Sequence, residues 1–209
     1  MISAEMHGII KCKEIFDMKK LLLTLIFALL PFTIFAAPFG LKMGMSLDEI
    51  SAQCEEEPSF VKDDVYLVKP KKSHPMFEEY AVYISKTTGL YQIRAFSKPI
   101  NCNKYGTEIQ NAFNKVKDKI AKTYGKPRII NEINQASQFS ENEYWFYTLK
   151  DGSRILAAAW DEKILPDNLF AIALDCVAYN GYLDGEAHLI LCYYFNNFKS
   201  AEDEQDDVF

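Results

Sequence analysis

The chain has 209 residues, 49% of them hydrophobic and 25% charged, with a formal net charge of −6. This composition is typical of a globular domain that is long enough to bury a sizeable core. The negative charge argues against nucleic acid as a partner, because phosphate binding requires a basic patch. The only dense basic run is KPKK at 69–72, which we interpret as a solvated loop.

The first 36 residues have the pattern of a targeting segment. A short positive stretch at 18–20 precedes the apolar run 21–30, and small residues follow up to Ala36. A charged start, an apolar core and small residues before a cleavage point are typical of a secretory signal peptide. We therefore predict a signal peptide over 18–36 that starts at Met18, with residues 1–17 as an upstream extension.

A membrane anchor is the alternative for this segment. The stretch from Leu21 to Ala37 is broken by Pro31, and it is marginal against the roughly 20 apolar residues that a spanning helix needs. No cysteine lies at the end of the apolar run, so no lipid anchor is predicted. We expect a protein of the periplasm, or a secreted one, with no stable membrane anchor after cleavage.

Cysteine usage leads to a disulfide prediction. Removal of the leader takes away Cys12 and leaves four cysteines: Cys54, Cys102, Cys176 and Cys192. An even number in an exported chain favours disulfides. A hairpin centred on Asp184 would place Cys176 opposite Cys192 at a separation that a disulfide can span. Cys54 would then pair with Cys102. Free buried thiols are the alternative, and no CxxC motif indicates a zinc site.

The predicted elements of the first half begin with a helix. Ser46 and Glu49 form a capping box, and the helix runs for roughly ten residues towards Pro58. Three strand patterns follow, the last two joined by a turn at Thr87–Gly89; they cover 65–68, 80–85 and 90–96.

The second half begins with the clearest helix, from Thr107 to Tyr124. Its apolar residues recur at helical spacing, Thr107 and Gln110 form a second capping box, and Gly125 ends it. A polar loop over 131–143 then leads to strands, with Asp151-Gly152 as a hairpin turn. These predicted strands cover 144–149 and 154–160, and the cysteine hairpin completes the chain.

The order of elements predicts an α+β fold. Two units, each a helix followed by an antiparallel meander, would pack as one domain over residues 37–199. No crossover helix separates successive strands, so a Rossmann fold is not expected. The acidic tail 200–209 has little to bury, and we expect it to be disordered.

The sequence contains no recognisable catalytic motif, metal-binding motif or cofactor motif. His74 and His188 are the histidines that remain after cleavage, and a lone histidine is usually structural or solvated. The aromatic residues are more informative about function than the histidines. On strands, Tyr144, Trp145, Tyr147 and Tyr193 would place rings on both faces of the sheet. One face would then be an exposed interaction surface, unless helices cover it.

Three short motifs carry a resemblance to a known family. The motif GMSLDEI at 44–50, and the helix end KIAKTYGKP at 119–127 with YWFY at 144–147, resemble small envelope domains of the SmpA/OmlA (BamE) type. The two-fold design is similar to that of the β-lactamase-inhibitor-protein fold. The resemblance implies a periplasmic, non-catalytic, protein-binding module. This chain differs from the assembly lipoproteins in having no lipobox cysteine.

Three functional hypotheses follow. The first is an exported, non-catalytic module that binds another envelope or extracellular protein as an inhibitor or assembly factor. The second is a small exported hydrolase in which carboxylates or His188 converge. The third is a small-ligand-binding envelope protein, which a sizeable apolar pocket between helix and sheet would favour.

Overall fold

The structure is a computed structural model that describes residues 37–134, 141–179 and 184–206. The predicted signal peptide and the upstream extension lie outside these residues. Within the described part, no helix is both long enough and apolar enough to cross a membrane. Its α-helices are α1 (Leu47–Ser51), α2 (Thr107–Tyr124), α3 (Trp145–Lys150) and α4 (Phe198–Asp206).

The strands of the described chain are β1 (Ser59–Lys62), β2 (Val65–Val68), β3 (Phe77–Ser85), β4 (Gly89–Ser97), β5 (Ile100–Cys102), β6 (Arg128–Ile133), β7 (Arg154–Trp160), β8 (Leu169–Ala178) and β9 (Gly185–Phe195). All nine belong to one antiparallel sheet with the order β1-β2-β3-β4-β9-β8-β7-β6, and β5 also pairs with β9. The combination of helices with an antiparallel sheet confirms the α+β class.

Helix α1 begins as predicted but ends early. The Ser46 amide donates to the Glu49 carboxylate at 2.8 Å, and the Glu49 amide donates to the Ser46 hydroxyl at 3.3 Å, so the capping box is confirmed. The helix nevertheless stops at Ser51 because the next residues pair with another part of the chain. Cys54 forms an isolated bridge with Pro70, which requires extended backbone.

Helix α2 has the predicted bounds but a different N-terminus. Its N-cap is Gly106, with a left-handed φ of 62°, and no side chain caps the helix there. The predicted capping box is wrong because Gln110 instead donates to the Tyr105 carbonyl at 2.8 Å. The Asn103 side chain organises this start by accepting from the Tyr105 amide at 2.9 Å.

The largest difference between the predicted and the observed secondary structure is at residues 144–149, which form a helix and not a strand. Trp145, Phe146 and Leu149 are buried on one side of α3, and the Phe146 amide donates to the Lys104 carbonyl at 3.0 Å. Aromatic residues are frequent in strands, and that preference misled the prediction. The turn at Asp151 consequently joins α3 to β7. Strand β6 lies partly within the predicted polar loop.

The acidic tail is helical as far as Asp206, so the prediction of disorder is wrong for this part. The Glu204 carboxylate accepts from the Ser85 hydroxyl at 2.5 Å and from the Thr87 hydroxyl at 2.7 Å. The Phe198 ring packs against Tyr194 with centroids 4.9 Å apart. Helix α4 is therefore held to the β3–β4 turn and to the sheet. Residues 207–209 lie outside the described chain.

Two coverings protect one face of the sheet. Helix α2 packs against β5, β8 and β9, and α3 packs against β7 and β8. The segment from Ala37 to Cys54 covers β3 and β4, where the Gly44 amide donates to the Leu90 carbonyl at 2.9 Å. Because α1 is only one turn long, the second covering is irregular. The two coverings meet above β9, where they leave a cleft.

Candidate functional site

A cleft of about 490 Å³ lies between helix α2 and strand β9. Its walls are the N-terminal segment 37–40, the loop 72–77 and residues 115–124 of α2. Leu191 and Tyr193 of β9 form the floor. The lining is mainly apolar because the buried stripe of α2 continues into it through Val116 and Ile120.

An aromatic cluster shapes one wall of the cleft. The Phe39 ring lies edge-on to Tyr80 at 4.8 Å, to Tyr193 at 5.8 Å and to Phe77 at 6.5 Å between centroids. Such arrangements are favourable for aromatic pairs. Phe39 also has a left-handed backbone, with φ of 54° and ψ of 17°, which costs a non-glycine residue about 1 to 3 kcal/mol. The surrounding rings hold this residue in place.

The floor and the adjoining helix contribute two tyrosines. Tyr193 is buried, and its ring lies 6.4 Å from that of Tyr124. Burial raises the pKa of Tyr193, and burial together with Asp167 raises the pKa of Tyr124 to about 12. Both hydroxyls are therefore neutral at physiological pH. This part of the cleft can accept an uncharged group without desolvating a charge.

The mouth of the cleft is basic. Lys72, Lys115 and Lys119 line it together with His74. The Lys119 Nζ atom lies 2.9 Å from His74 Nε2. Burial lowers the pKa of His74, and the neighbouring Lys119 and Lys115 lower it further. The imidazole is consequently neutral near pH 7, while the lysines supply the positive charge.

The predicted aromatic interaction face does not exist as one surface. Trp145 and Tyr193 are only 6% and 7% exposed, and Tyr144 and Tyr147 are half-buried beside or on α3. Tyr193 belongs to the cleft floor, whereas Trp145 packs against Gly106. A signal for this difference was present in the sequence. Positions 145, 146 and 149 have the spacing of one helix face.

The predicted disulfide between Cys176 and Cys192 is wrong, because both residues are free thiols. Cys176 lies opposite Leu189, and Cys192 lies opposite Ala173. The pairing of β8 with β9 is therefore shifted by three residues from the predicted register. This register places the two thiols three positions apart. An odd offset also points them to opposite faces of the sheet.

Cys54 and Cys102 are free thiols as well, so the second predicted pair is not formed. Cys54 lies opposite Pro70, whereas the Cys102 thiol donates to the Ile100 carbonyl at 3.3 Å. Burial raises the pKa of Cys102 to about 11 and that of Cys192 to about 11. Such thiols are poor nucleophiles near neutral pH, since the thiolate is the reactive form.

The geometry around His188 is structural. Its Nδ1 atom lies 2.9 Å from the Ser97 carbonyl oxygen, and its ring lies 5.3 Å from that of Tyr179. Neither contact involves a carboxylate. Within residues 37–134, 141–179 and 184–206, no group of three or more His, Cys, Asp or Glu side chains is placed to hold a metal ion.

Comparisons with models of protein families, with curated proteins and with solved structures gave no match. The fold and the site together define the chain as an α+β protein with an apolar cleft between helix and sheet. Its function has to be inferred from that cleft.

Proposed function

We propose that this chain is an exported, non-catalytic protein that binds a small apolar ligand in the cleft between α2 and β9. The observation that carries this proposal is the combination of volume and lining. The cleft measures about 490 Å³, within the range of about 300 to 1,000 Å³ that is usual for small-molecule sites. Val116, Ile120 and Leu191 line it with apolar surface.

The energetics of the cleft support a ligand. Apolar surface gains about 25 cal/mol for each Å² removed from water, so an apolar cleft left open to water forgoes this gain. The walls cannot simply collapse, because Phe39 is held by three aromatic neighbours and Tyr193 belongs to a central strand. A ligand of matching shape would recover the free energy that the open cleft forgoes.

Three further proposals concern the cellular location, the two-unit architecture and the family relationship of the protein. Export to the periplasm or the medium rests on the sequence pattern at 18–36. The description of the sheet as two related helix-plus-meander units is supported by the pairing of β4 with β9, the last strands of the two meanders. The relation to SmpA/OmlA domains rests on the short motifs at 44–50, 119–127 and 144–147.

The ligand proposal is tested with N-phenyl-1-naphthylamine, a neutral apolar fluorophore, added to protein recovered from cells that express the full chain. We expect saturable binding at one site. The substitution Thr123→Trp should weaken it at least tenfold, because Thr123 is an exposed residue at the cleft and a large ring there fills the space. The intact mass of the protein shows at the same time whether it begins at Ala37.

The matched control is Asn111→Trp, an equally large change at an exposed position of α2 outside the cleft lining. It should bind the fluorophore like the unmodified protein. Fluorescence that never saturates, or equal losses in the two tryptophan variants, would contradict binding in the cleft.

The protein-binding hypothesis remains a second candidate, and strand β1 favours it. All four residues of β1 are exposed, with Phe60 61% and Val61 48% exposed. In the described chain β1 pairs with β2 alone and lies at the sheet edge. An exposed edge strand can add a strand from a partner through main-chain hydrogen bonds.

A photo-crosslinking residue in place of Phe60 tests this candidate in living cells. We expect one discrete adduct with another envelope or extracellular protein, and its loss when Val61→Pro is added, because proline removes a main-chain donor. The control position is Lys122, an exposed residue of α2. Identical adducts from both positions would argue against a specific edge interaction.

A further inference from the structure

The charge at the mouth of the cleft is opposite to that of the chain. The protein has a formal net charge of −6, yet the charged side chains among the described lining residues are Lys72, Lys115 and Lys119. Lys115 and Lys119 are one turn apart on α2, where like charges destabilise a helix slightly. A basic cluster at the open end of an apolar cleft favours a ligand with a negatively charged end.

The contacts of His74 indicate where that charge would lie. The Met76 amide lies 3.2 Å from Nδ1, and the Lys119 ammonium lies 2.9 Å from Nε2. Both groups are donors only, whereas a neutral imidazole has one acceptor nitrogen and one N–H. One of the two contacts therefore sets a donor against a donor. An anion beside Nε2 would remove this conflict by accepting from both the imidazole and the ammonium.

The other titratable groups around His74 are compatible with this role. The Tyr80 hydroxyl accepts from the His74 backbone amide at 2.9 Å, while the imidazole ring contacts Phe77 and Lys119. Lys115 adds a second positive charge from the same helix and contributes to the lowered pKa of the imidazole. Lys72, whose stem lies against Gly40, also lines the cleft. None of these groups would repel an anion.

We propose that the cleft takes a single-chain amphiphile that carries one carboxylate, with its chain above Leu191 and Tyr193 and its carboxylate between His74 and Lys119. This inference rests on the proposed function and names the class of ligand. A carboxylate that accepts from an ammonium forms a charge-assisted hydrogen bond, which is about twice as strong as a neutral one.

The size of the cleft sets the length of the chain. A cavity of about 490 Å³ holds roughly 16 groups of the size of a water molecule, at about 30 Å³ each. One chain of about ten to fourteen carbons with its carboxylate therefore fits. The two acyl chains of a membrane phospholipid exceed this volume, so we assign the cleft to a free amphiphile and not to a bilayer lipid.

The test measures how decanoate and decanol displace N-phenyl-1-naphthylamine from protein recovered from cells that express the full chain. At low salt we expect decanoate to bind at least tenfold more tightly than decanol. The preference should shrink as salt is added, since ions screen exposed charges. Lys119→Met should abolish the preference while decanol binding persists, which shows that the cleft is intact.

The matched control is Lys122→Met, which removes the same charge from an exposed position of α2 outside the cleft lining; it should keep the preference for decanoate. Equal affinities for decanoate and decanol in the unmodified protein would overturn the carboxylate site, although saturable fluorophore binding would leave the proposed function standing. No fluorophore binding at all would overturn both. Binding to phosphatidylglycerol vesicles without displacement by decanoate would overturn the choice of a free amphiphile.

Discussion

Replacing Gly89 by alanine is expected to destabilise the folded protein by about 2 to 5 kcal/mol. Gly89 has a left-handed φ of 70°, which costs an alanine about 1 to 2 kcal/mol. A methyl group there would also overlap the main-chain atoms of Gly44, and such overpacking costs about 1 to 3 kcal/mol more. The Gly44 backbone cannot move away easily, because its amide donates to the Leu90 carbonyl at 2.9 Å.

The control for this experiment is Gly152→Ala. Gly152 has a similar φ of 80°, but a methyl group there would meet nothing within 4 Å. It should lose only the backbone contribution of about 1 to 2 kcal/mol. Equilibrium unfolding in urea compares the two variants, and equal losses would show that the close approach of Gly89 to Gly44 does not hold the segment before α1 against the β3–β4 hairpin.

Replacing Trp145 by alanine is expected to cost about 3 to 5 kcal/mol of stability, the usual effect of removing a large buried aromatic side chain. Its ring is 6% exposed and lies against Gly106 at the start of α2, with the Arg154 guanidinium 5.4 Å from the ring centroid. The cavity left behind would open between α2 and α3. Helix α3 has only six residues and depends on this packing.

The comparison is with Tyr147→Ala on the same helix. Tyr147 is half-buried, so its truncation should destabilise the protein clearly less than that of Trp145. Urea unfolding of both variants measures the difference. If Trp145 belonged to an exposed interaction surface, its loss would change stability by only about 0.5 kcal/mol. That outcome would contradict the packing described for α3.

The elements that could be predicted from sequence are those that depend on local forces. Helix α2 has an apolar stripe, from Ile109 to Ile120, long enough to define its buried face. Gly125 ends it with a left-handed φ of 85°. The turn before Gly89 and the capping box at Ser46 are also set by neighbouring residues. Short-range sterics and main-chain hydrogen bonds decide such features wherever the segment lies.

Other features depend on partners distant in the chain. The sequence 144–149 has strand-forming residues, and it becomes helical because Trp145 packs on Gly106 and Phe146 bonds Lys104. Residues 200–206 gain order through Glu204, whose partners Ser85 and Thr87 are more than 100 positions away. These contacts between distant residues cannot be recognised from the neighbouring sequence. Composition alone therefore predicted a strand at 144–149 and a disordered tail at 200–209.

The cysteines show how small a shift in register matters. Alternation along β8 and β9 was visible in the sequence, but the register of their pairing was not. Cys176 lies opposite Leu189 and not opposite Cys192, and this shift of three residues separates two thiols that would otherwise face each other. Register depends on how the whole sheet packs its apolar face.

By itself, the sequence determined the α+β class, the long helix α2 and the turns, because hydrophobic periodicity and local backbone preferences depend on residues that are close together in the sequence. Only the tertiary structure decided the cleft. Its wall at Phe39, its floor at Tyr193 and its basic mouth at Lys119 come from three segments, which meet because a one-turn α1 leaves part of the sheet to an irregular covering. Proximity of this kind has no local pattern, since it depends on how the coverings meet on the sheet.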